Sequence, residues 1–216
     1  MSHEWVIVGA GGFAREVTRT IEGNDANGGT LLAVEPEYLP DPPKVGMYEV
    51  TTIRDAIARS APWNKWFLGV GDVALRRRMV EVTERYSPTP IQWGTVRSSC
   101  ACVAHDATIS CGVYIGPMSV VSPKCMLGPQ ALVNQLCSIG HGTIIGAHAV
   151  VSPGCILSGK VTVGAGTFLG SSVTVYPGVR IGTGCKVAAG TIVKRDIPDG
   201  CMGFERHVAK TAPLGG

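Results

Sequence analysis

The second half of the chain carries an aliphatic residue at every sixth position. From Val103 to Val193, all sixteen successive positions at this spacing hold Val, Ile or Leu. The next residue is Gly, Ala, Ser or Asn in fourteen cases, and the two exceptions are Tyr176 and Lys194. A short repeat cannot bury its apolar side chain alone, but stacked repeats form a continuous core. The pattern therefore predicts a stacked β-structure in which these sixteen side chains point inward.

A second position of the repeat, four residues after each aliphatic one, mostly holds small or β-branched residues. Four of the eight cysteines fall there: Cys125, Cys137, Cys155 and Cys185. The others are Cys100, Cys102, Cys111 and Cys201. A buried thiol behaves as a small hydrophobe, so the first four are predicted to be packing residues. No C-x-x-C pair occurs, and no metal site is predicted.

The first half alternates short apolar runs with amphipathic segments. Strands are predicted at 5–8, 30–34 and 65–70. Helices are predicted from the glycine turn at 9–12 to about residue 22, over 52–59 and over 73–86. This alternation is typical of an α/β unit with a parallel sheet. We place that domain at 1–88 and the repeat domain at 91–216, with a linker around 87–90.

Composition narrows the functional classes. Apolar residues make up 45% of the chain and charged residues 16%, which favours a folded, well-packed protein. The net charge of +3 gives no reason to expect nucleic-acid binding. No apolar run reaches the roughly 18 residues of a membrane span, and the N-terminus lacks a basic leader. The expectation is a soluble, cytoplasmic protein.

The turn that begins at Gly9, with the sequence GAGGFAR, follows a predicted strand and opens a helix. Such a loop lets backbone amides approach a phosphate at the helix N-terminus. Ala14 replaces the third glycine of a dinucleotide motif, and Glu35 stands where a ribose-binding acid would, so the motif itself leaves NAD open. About 90 residues provide one half of a dinucleotide fold. The run Arg76–Arg78 is predicted to lie on a solvated helix face.

Taken together, the segments IVGAGGFARE (7–16), FLGVGD (67–72) and NQLCSIGHGTIIG (134–146) and the hexapeptides resemble the NeuD/PglD-type sugar acetyltransferases over nearly the whole chain. The resemblance implies a Rossmann-like half-unit that binds a nucleotide sugar, and a left-handed parallel β-helix with three hexapeptides per triangular coil. It further implies acetyl transfer from acetyl-CoA to the amine of a nucleotide-activated amino sugar, such as a 4-amino-4,6-dideoxy sugar, for lipopolysaccharide or O-antigen biosynthesis. No metal is implied.

His141 occupies a turn position of the repeat, between Gly140 and Gly142. Gly159 follows one 18-residue coil later and is expected to leave space beside the imidazole. By resemblance His141 is the general base, a role that a neutral imidazole can fill near pH 7. The family's acidic residue after this histidine is replaced here by Gly142. His148 lies two positions before the place of a second family histidine.

The resemblance also implies the binding residues. For the nucleotide sugar they are Gly11, Gly12, Phe13, Glu35, Gly71, Asp72 and Asn134. For acetyl-CoA they are Gly159, Ser171 and Ala189 in a groove between subunits, with Lys194, Arg195, Arg206 and Lys210 near its phosphates. The chain ends without the family's proline-containing loop.

A homotrimer with active sites at its interfaces is expected. Six apolar residues off the inward positions are candidates for the buried surface: Leu132, Leu136, Val150, Ile156, Phe168 and Ile192. Two alternatives remain: an O-acetyltransferase acting on a sugar of the sialic acid type, and a non-catalytic β-helix binding protein. The residues do not decide between N- and O-transfer.

Overall fold

A computed structural model of the chain describes residues 3–24, 29–35, 44–45, 48–61 and 64–204. Arg206 and Lys210, which were expected to contact acetyl-CoA, lie outside the described residues. The described chain comprises an N-terminal α/β unit followed by a parallel β-helix.

In its described residues, the α/β unit contains three helices and a five-stranded sheet. The helices are α1 (Gly12–Asn24), α2 (Ile53–Arg59) and α3 (Val73–Tyr86). The strands are β1 (His3–Val8), β2 (Gly29–Val34), β3 (Lys44–Val45), β4 (Tyr48–Thr52) and β5 (Lys65–Leu68). The sheet order is β3-β4-β2-β1-β5, in which only the β3–β4 pairing is antiparallel. The three predicted strands and three predicted helices are confirmed; β3 and β4 are additional.

Side-chain caps fix where two of these helices begin. Thr52 Oγ1 accepts a hydrogen bond from the Asp55 N–H at 3.1 Å at the start of α2. Asp72 Oδ1 accepts one from the Leu75 N–H at 2.8 Å at the start of α3. A cap of this kind satisfies an amide that has no partner inside the helix. Each helix therefore starts directly after the strand or loop that precedes it.

The β-helix consists of two-residue strands stacked in three parallel sheets. Face 1 contains β7 (Cys102–Val103), β10 (Val120–Val121), β13 (Ser138–Ile139), β16 (Ile156–Leu157), β19 (Thr174–Val175) and β22 (Ile192–Val193). Face 2 contains β8 (Thr108–Ile109), β11 (Met126–Leu127), β14 (Ile144–Ile145), β17 (Thr162–Val163) and β20 (Arg180–Ile181). Face 3 contains β6 (Val96–Arg97), β9 (Tyr114–Ile115), β12 (Leu132–Val133), β15 (Val150–Val151), β18 (Phe168–Leu169), β21 (Lys186–Val187) and β23 (Met202–Gly203).

The period of the coil is 18 residues. Ile139 pairs with Leu157, and Val121 pairs with Ile139, so each residue lies beside the one 18 positions later. Three hexapeptides therefore make one turn of a triangular prism, and parallel sheets with this repeat fit a left-handed β-helix. The sixteen inward aliphatic residues and the four repeat-position cysteines form one apolar core, which confirms the prediction from the period of six.

Three corners join the faces. The His141 corner (residues 104–106, 122–124, 140–142, 158–160, 176–178 and 194–196) lies between faces 1 and 2. The His148 corner (110–112, 128–130, 146–148, 164–166 and 182–184) lies between faces 2 and 3. The Gln135 corner (98–100, 116–118, 134–136, 152–154, 170–172 and 188–190) lies between faces 3 and 1. Seven corner residues other than glycine have φ near +58°: Met118, Lys124, Gln130, Leu136, His148, Lys160 and Ser172.

The α/β unit covers face 3 of the prism. The outward side chains of Tyr114, Leu132 and Val150 are buried in one cluster with residues of β1, β5 and α1, and Phe168 packs against it. Of the six residues expected at a surface between chains, Leu132 and Val150 are thus buried within this chain and Phe168 is partly buried there. The other three, Leu136, Ile156 and Ile192, are exposed on or beside face 1.

Arg76 connects the two halves of the chain. Its side chain is fully buried and donates hydrogen bonds to the carbonyl oxygens of Leu68, Val70 and Gln130, the last at 2.7 Å. The prediction of a solvated arginine face is therefore wrong for Arg76. Burial lowers the pKa of Arg76 to about 9, which leaves the guanidinium charged at neutral pH. The β5–α3 turn is thereby held against the His148 corner.

Candidate functional site

A pocket of about 480 Å³ lies at the carboxyl ends of the central strands of the α/β sheet. Strand β1 lies between β2 and β5, so the chain passes from β1 to β2 on one side and later returns to β5 on the other side. The pocket is bordered by the loops after β1 and β5, at the point where the strand order reverses. Ligands of open parallel sheets bind in this crevice. Its volume also lies within the range of small-molecule sites.

The pocket depends on the close approach of two glycines. Gly9 has φ +127°, and a Cβ at this position would stand 2.8 Å from the carbonyl oxygen of Gly69. Only glycine combines that backbone conformation with that contact. Gly11 and Gly12 behave differently, because a Cβ at either would meet nothing within 4 Å. The first glycine thus closes the turn, and the next two leave open space for a ligand.

Five of the predicted nucleotide-sugar residues line this pocket: Gly11, Gly12, Phe13, Glu35 and Gly71. The Phe13 ring packs edge-on against Tyr114 of the β-helix, with ring centroids 5.2 Å apart. The Glu35 carboxylate accepts hydrogen bonds from Arg78 Nη2 at 2.9 and 3.1 Å. A ligand that hydrogen-bonds to Glu35 would therefore meet a carboxylate already held by an arginine.

The other two residues of that predicted set lie elsewhere. Asp72 does not line the pocket, and its carboxylate caps α3. Asn134 lies on the Gln135 corner, where its Oδ1 accepts a hydrogen bond from the Gln135 N–H at 3.0 Å. The Asn134 carbonyl accepts one from Ser119 Oγ at 2.6 Å. In this chain Asn134 is brought neither to the glycine pocket nor to His141, which stands at the far end of β13.

His141 is exposed on the corner between faces 1 and 2, and its imidazole reaches across the next coil. A Cβ on Gly159 would stand 2.5 Å from His141 Nε2 and 2.8 Å from Cε1. The space predicted beside the histidine is therefore filled by its own ring. The backbone is held as well, because the His141 carbonyl accepts a hydrogen bond from the Lys160 N–H at 2.8 Å. The ring thus has a defined seat on an otherwise open surface.

The residue after the histidine has a left-handed conformation. Gly142 has φ +66°, and a Cβ there would meet only Cγ of Lys160, at 3.6 Å. A carboxylate in that position would fit sterically with a modest backbone cost. Among the described residues no side chain forms a hydrogen bond with the His141 imidazole. The described residues therefore supply no carboxylate to orient the base at this corner.

The same corner carries cationic side chains in later coils. Tyr176 and Lys194 follow Gly140 by two and three coils, and Lys194 Nζ lies 6.0 Å from the centroid of the Tyr176 ring. Arg195 follows directly. At the usual strand spacing of about 4.8 Å, three coils span about 14 Å. His141, Gly159 and Lys194 therefore lie along one corner of the prism over about this distance.

The other two residues expected to line the acetyl-CoA groove occupy a different corner. Ser171 and Ala189 are exposed one coil apart on the Gln135 corner, across face 1 from Gly159 and Lys194. Within one chain these two pairs cannot line the same groove. They can do so only if the Gln135 corner of one chain approaches the His141 corner of another.

His148 belongs to the joint between the two halves of the chain. It is half-buried on the His148 corner, and its Nδ1 atom is buried without a hydrogen-bond partner. Arg77 of α3 lies one coil further, where a Cβ on Gly166 would meet Arg77 Nη2. Burial lowers the pKa of His148, and the charges of Arg76 and Arg77 lower it further. His148 thus lies on a different corner from His141.

A second cavity, of about 700 Å³, separates α1 from the Gln135 corner. It is lined by Arg15 and Arg19 of α1 and by Tyr114, Met118 and Leu136 of the β-helix, among others. None of the predicted site residues lines it. Within the described residues no group of three His, Cys, Asp or Glu side chains could hold a metal ion. The helices in the described part are all too short or too polar to cross a membrane.

Two families of hexapeptide repeats match part of the chain. The bacterial transferase hexapeptide (six repeats) matches residues 160–195, and the hexapeptide repeat of succinyl-transferase matches residues 136–168. No curated protein matches the chain significantly.

Several solved structures share the whole fold. A histidine-to-asparagine mutant of perosamine N-acetyltransferase from Caulobacter crescentus, in complex with CoA and GDP-perosamine, is 23% identical with a TM-score of 0.82 and covers 93% of both chains. The acetyltransferase domain of PglB from Neisseria gonorrhoeae FA1090, in complex with acetyl coenzyme A, is 21% identical with a TM-score of 0.85 and covers 95% of this chain and 97% of its own. WeeI from Acinetobacter baumannii AYE is 18% identical with a TM-score of 0.84, over 93% and 96%. At these identities the matches establish the fold.

Proposed function

We propose that this protein transfers the acetyl group of acetyl-CoA to the amine of a nucleotide-linked amino sugar. The observation that carries this proposal is the seat of His141. An exposed imidazole rests over Gly159, on the corner that carries Lys194 and Arg195 in later coils. The glycine pocket of the α/β unit gives the proposal its acceptor site. Two structures of the same fold contain CoA or acetyl-CoA, and one of these contains a nucleotide-linked amino sugar.

His141 acts as the general base. Its neutral imidazole accepts a proton from the acceptor amine as the new N–C bond forms and the thioester C–S bond breaks. The sulfur leaves as the thiol of CoA after it takes up a proton. General-base catalysis of this kind contributes about 10²- to 10⁴-fold. In the described part of the chain no carboxylate orients the ring; the ring rests over Gly159, and the hydrogen bond at the His141 carbonyl holds its backbone.

The pocket after β1 and β5 holds the nucleotide part of the acceptor, as a Rossmann-like half-unit does. The N-terminus of α1 and the open space at Gly11 and Gly12 accommodate a diphosphate. One such half, with β1 at its centre, suits a single nucleotide better than a dinucleotide. Both substrates are cytoplasmic metabolites in this proposal, and the acetylated sugar is destined for a surface glycan such as lipopolysaccharide O-antigen.

Each active site is formed by two chains of a homotrimer. The α/β unit covers face 3, whereas His141 stands on the opposite corner, between faces 1 and 2. A sugar held in the glycine pocket therefore meets the His141 of another chain. Exposed apolar side chains on both faces beside this corner supply a surface for that contact, among them Val120 and Ile156 on face 1 and Met126 and Ile144 on face 2.

The first experiment measures thiol release from acetyl-CoA with a panel of UDP-, GDP- and dTDP-linked 4-amino sugars and free sialic acid. We expect turnover with an amino sugar and a loss of at least about 10²-fold in His141→Ala. His105→Ala is the matched control, because His105 is exposed on the same corner two coils earlier. Turnover of sialic acid alone would replace N-transfer by O-transfer. An absence of both turnover and acetyl-CoA binding would favour a non-catalytic binding protein.

A complementation experiment tests the shared site. His141→Ala and Gly12→Phe, which fills the open space of the pocket, are each expected to be inactive. Co-expressed with different tags and purified as mixed oligomers, they should regain activity, because some sites then combine an intact His141 with an intact pocket. Inactive mixed oligomers, or a monomer by sedimentation, would contradict the two-chain site while leaving acetyl transfer itself to the first experiment.

A further inference from the structure

Two residues break the rule that a small residue follows each inward aliphatic one. Tyr176 and Lys194 are the only bulky side chains at this position of the sixteen hexapeptides from Val103 to Val193. They are 18 residues apart, so the structure places one directly beyond the other on the His141 corner. The coil itself is undisturbed, since the Tyr176 N–H donates to the Val193 carbonyl at 3.0 Å. The two exceptions thus form a pair on the surface rather than two separate irregularities.

The pair is preorganised by a cation–π contact. Lys194 Nζ lies 6.0 Å from the centroid of the Tyr176 ring, and the tyrosine is 46% exposed. Such a contact at an exposed site favours the paired arrangement by about two- to fivefold. It restrains a long, flexible side chain that would otherwise sample many rotamers. The ammonium is therefore held close to the surface of the corner.

The nearby carboxylates are already engaged. Asp196 Oδ1 accepts a hydrogen bond from the Arg180 N–H at 2.8 Å, and Asp199 pairs with the Arg180 guanidinium at 3.4 Å. In the part of the chain that the structure describes, neither Lys194 nor Arg195 has an acidic partner. Two adjacent cations without a counter-ion form a site for an anion such as a diphosphate.

Small residues separate this pair from the base. The same column of the corner holds Gly140 and Ser158 before Tyr176, and Gly159 holds only the His141 ring. This column of the corner therefore carries no large side chain between Gly140 and Tyr176.

We propose that Tyr176 positions Lys194, which the resemblance already places near the phosphates of acetyl-CoA, so that the two residues act as one recognition element for the diphosphate end of the acyl donor. The exposed tyrosine ring lines the end of the pantetheine arm and holds Lys194, whose ammonium binds a phosphate beside Arg195. This inference rests on the proposed function and adds a residue, Tyr176, whose role is to position Lys194. The pair makes the protein selective for CoA thioesters over thioesters of pantetheine alone.

Calorimetric binding of CoA and of pantetheine tests the pair. We expect Lys194→Met and Tyr176→Ala each to weaken CoA binding by about two- to fivefold. Tyr176→Phe should retain it, because the ring suffices. Pantetheine, which lacks the diphosphate, should bind wild type and Lys194→Met equally. The double variant should be little worse than either single one, since the two residues act as a unit.

Lys186→Met is the matched control, because Lys186 is an exposed lysine of the same part of the β-helix on face 3. It should bind CoA like the wild type. If the wild type binds CoA and both Tyr176→Ala and Lys194→Met bind it equally well, the inference is overturned while the proposed function stands. A wild type that binds no CoA would overturn the proposed function as well. The KM values for acetyl-CoA and acetylpantetheine should shift in parallel with the dissociation constants.

Discussion

The imidazole of His141 occupies the space that the absent side chain of Gly159 leaves one coil later, with Nε2 2.5 Å from the place of a Cβ. Gly159→Ala would therefore push the ring from its seat while leaving its chemistry intact. We expect the rate of acetyl transfer to fall by about 10²-fold, the usual consequence of displacing a catalytic group by about 1 Å. Steady-state kinetics with acetyl-CoA and the accepted sugar measure the loss.

Gly23→Ala is the control for this change, because a Cβ at Gly23 meets nothing within 4 Å. It should leave the rate unchanged. The thermal midpoint of Gly159→Ala should stay close to that of the wild type, since an exposed ring can rotate away. An alanine variant with full activity would show that the seat of His141 does not matter.

Arg76 is expected to contribute strongly to stability. Arg76→Met keeps much of the side-chain volume but leaves three carbonyl oxygens, of Leu68, Val70 and Gln130, without this donor. Each unsatisfied buried group costs about 1–3 kcal/mol, in part relieved by water or by relaxation. We expect the free energy of unfolding in urea to fall by about 3 kcal/mol. Arg85→Met, on the exposed surface of the same helix, should change it by less than about 0.5 kcal/mol.

Stability should depend on pH through His148. Burial, with Arg76 and Arg77, lowers its pKa in the folded protein, whereas the unfolded chain has the ordinary value of about 6.5. Below about pH 6.5 the unfolded chain therefore binds the extra proton first. The stability that the neutral ring provides is complete above this pH and is lost as the pH falls toward the folded pKa. The slope approaches at most about 1.4 kcal/mol per pH unit.

Urea unfolding of wild type and His148→Gln at about pH 7.5 and about pH 5.5 measures this slope. Glutamine suits the position, because Gln130 has the same left-handed backbone one coil earlier. The variant should lose less stability on acidification than the wild type does. His105→Gln, at an exposed corner, should keep the wild-type slope. Equal slopes for all three proteins would contradict this role of His148.

The four core cysteines should be unreactive in the folded protein. All four are buried, whereas the other four cysteines are exposed. Because a reagent has to reach the sulfur, no more than four of the eight cysteines should react with Ellman's reagent before unfolding. All eight should react in guanidinium. Cys155→Ala should lower the denatured total by one and leave the native count unchanged; a fifth reactive thiol in the native protein would contradict the prediction.

The sequence predicts the β-helix well because each hexapeptide carries its own signal. The burial of Ile139 and of Cys137 can each be predicted from the position in the repeat, without knowledge of distant parts of the chain. The helix cap at Thr52 is similarly local. The seat of His141 also follows from the period, since the 18-residue coil places Gly159 beside it.

Contacts between residues far apart in the chain cannot be predicted from the local sequence in this way. Arg76 reads as a surface residue of an amphipathic helix, because its three acceptors come from a strand end and from a corner more than fifty residues away. The outward position of Leu132 predicts a covered surface but not what covers it, and the cover proves to be the chain's own α/β unit. Asp72 carries equal signals for a cap and for a ligand. Its structural role is decided only by where its carboxylate points.

Because each residue pairs with the one 18 positions later, residues on one corner are separated along the prism by whole numbers of coils. An insertion of hexapeptides within the regular coils between His141 and Lys194 keeps both on one corner only if it adds a complete coil of three, because one or two hexapeptides would move every later side chain to another face. Each complete coil would move the cation about 4.8 Å further from the base. The reach of the protein toward its donor can therefore change only in steps, so gradual adjustment has to come from the length and tilt of individual side chains at the corner.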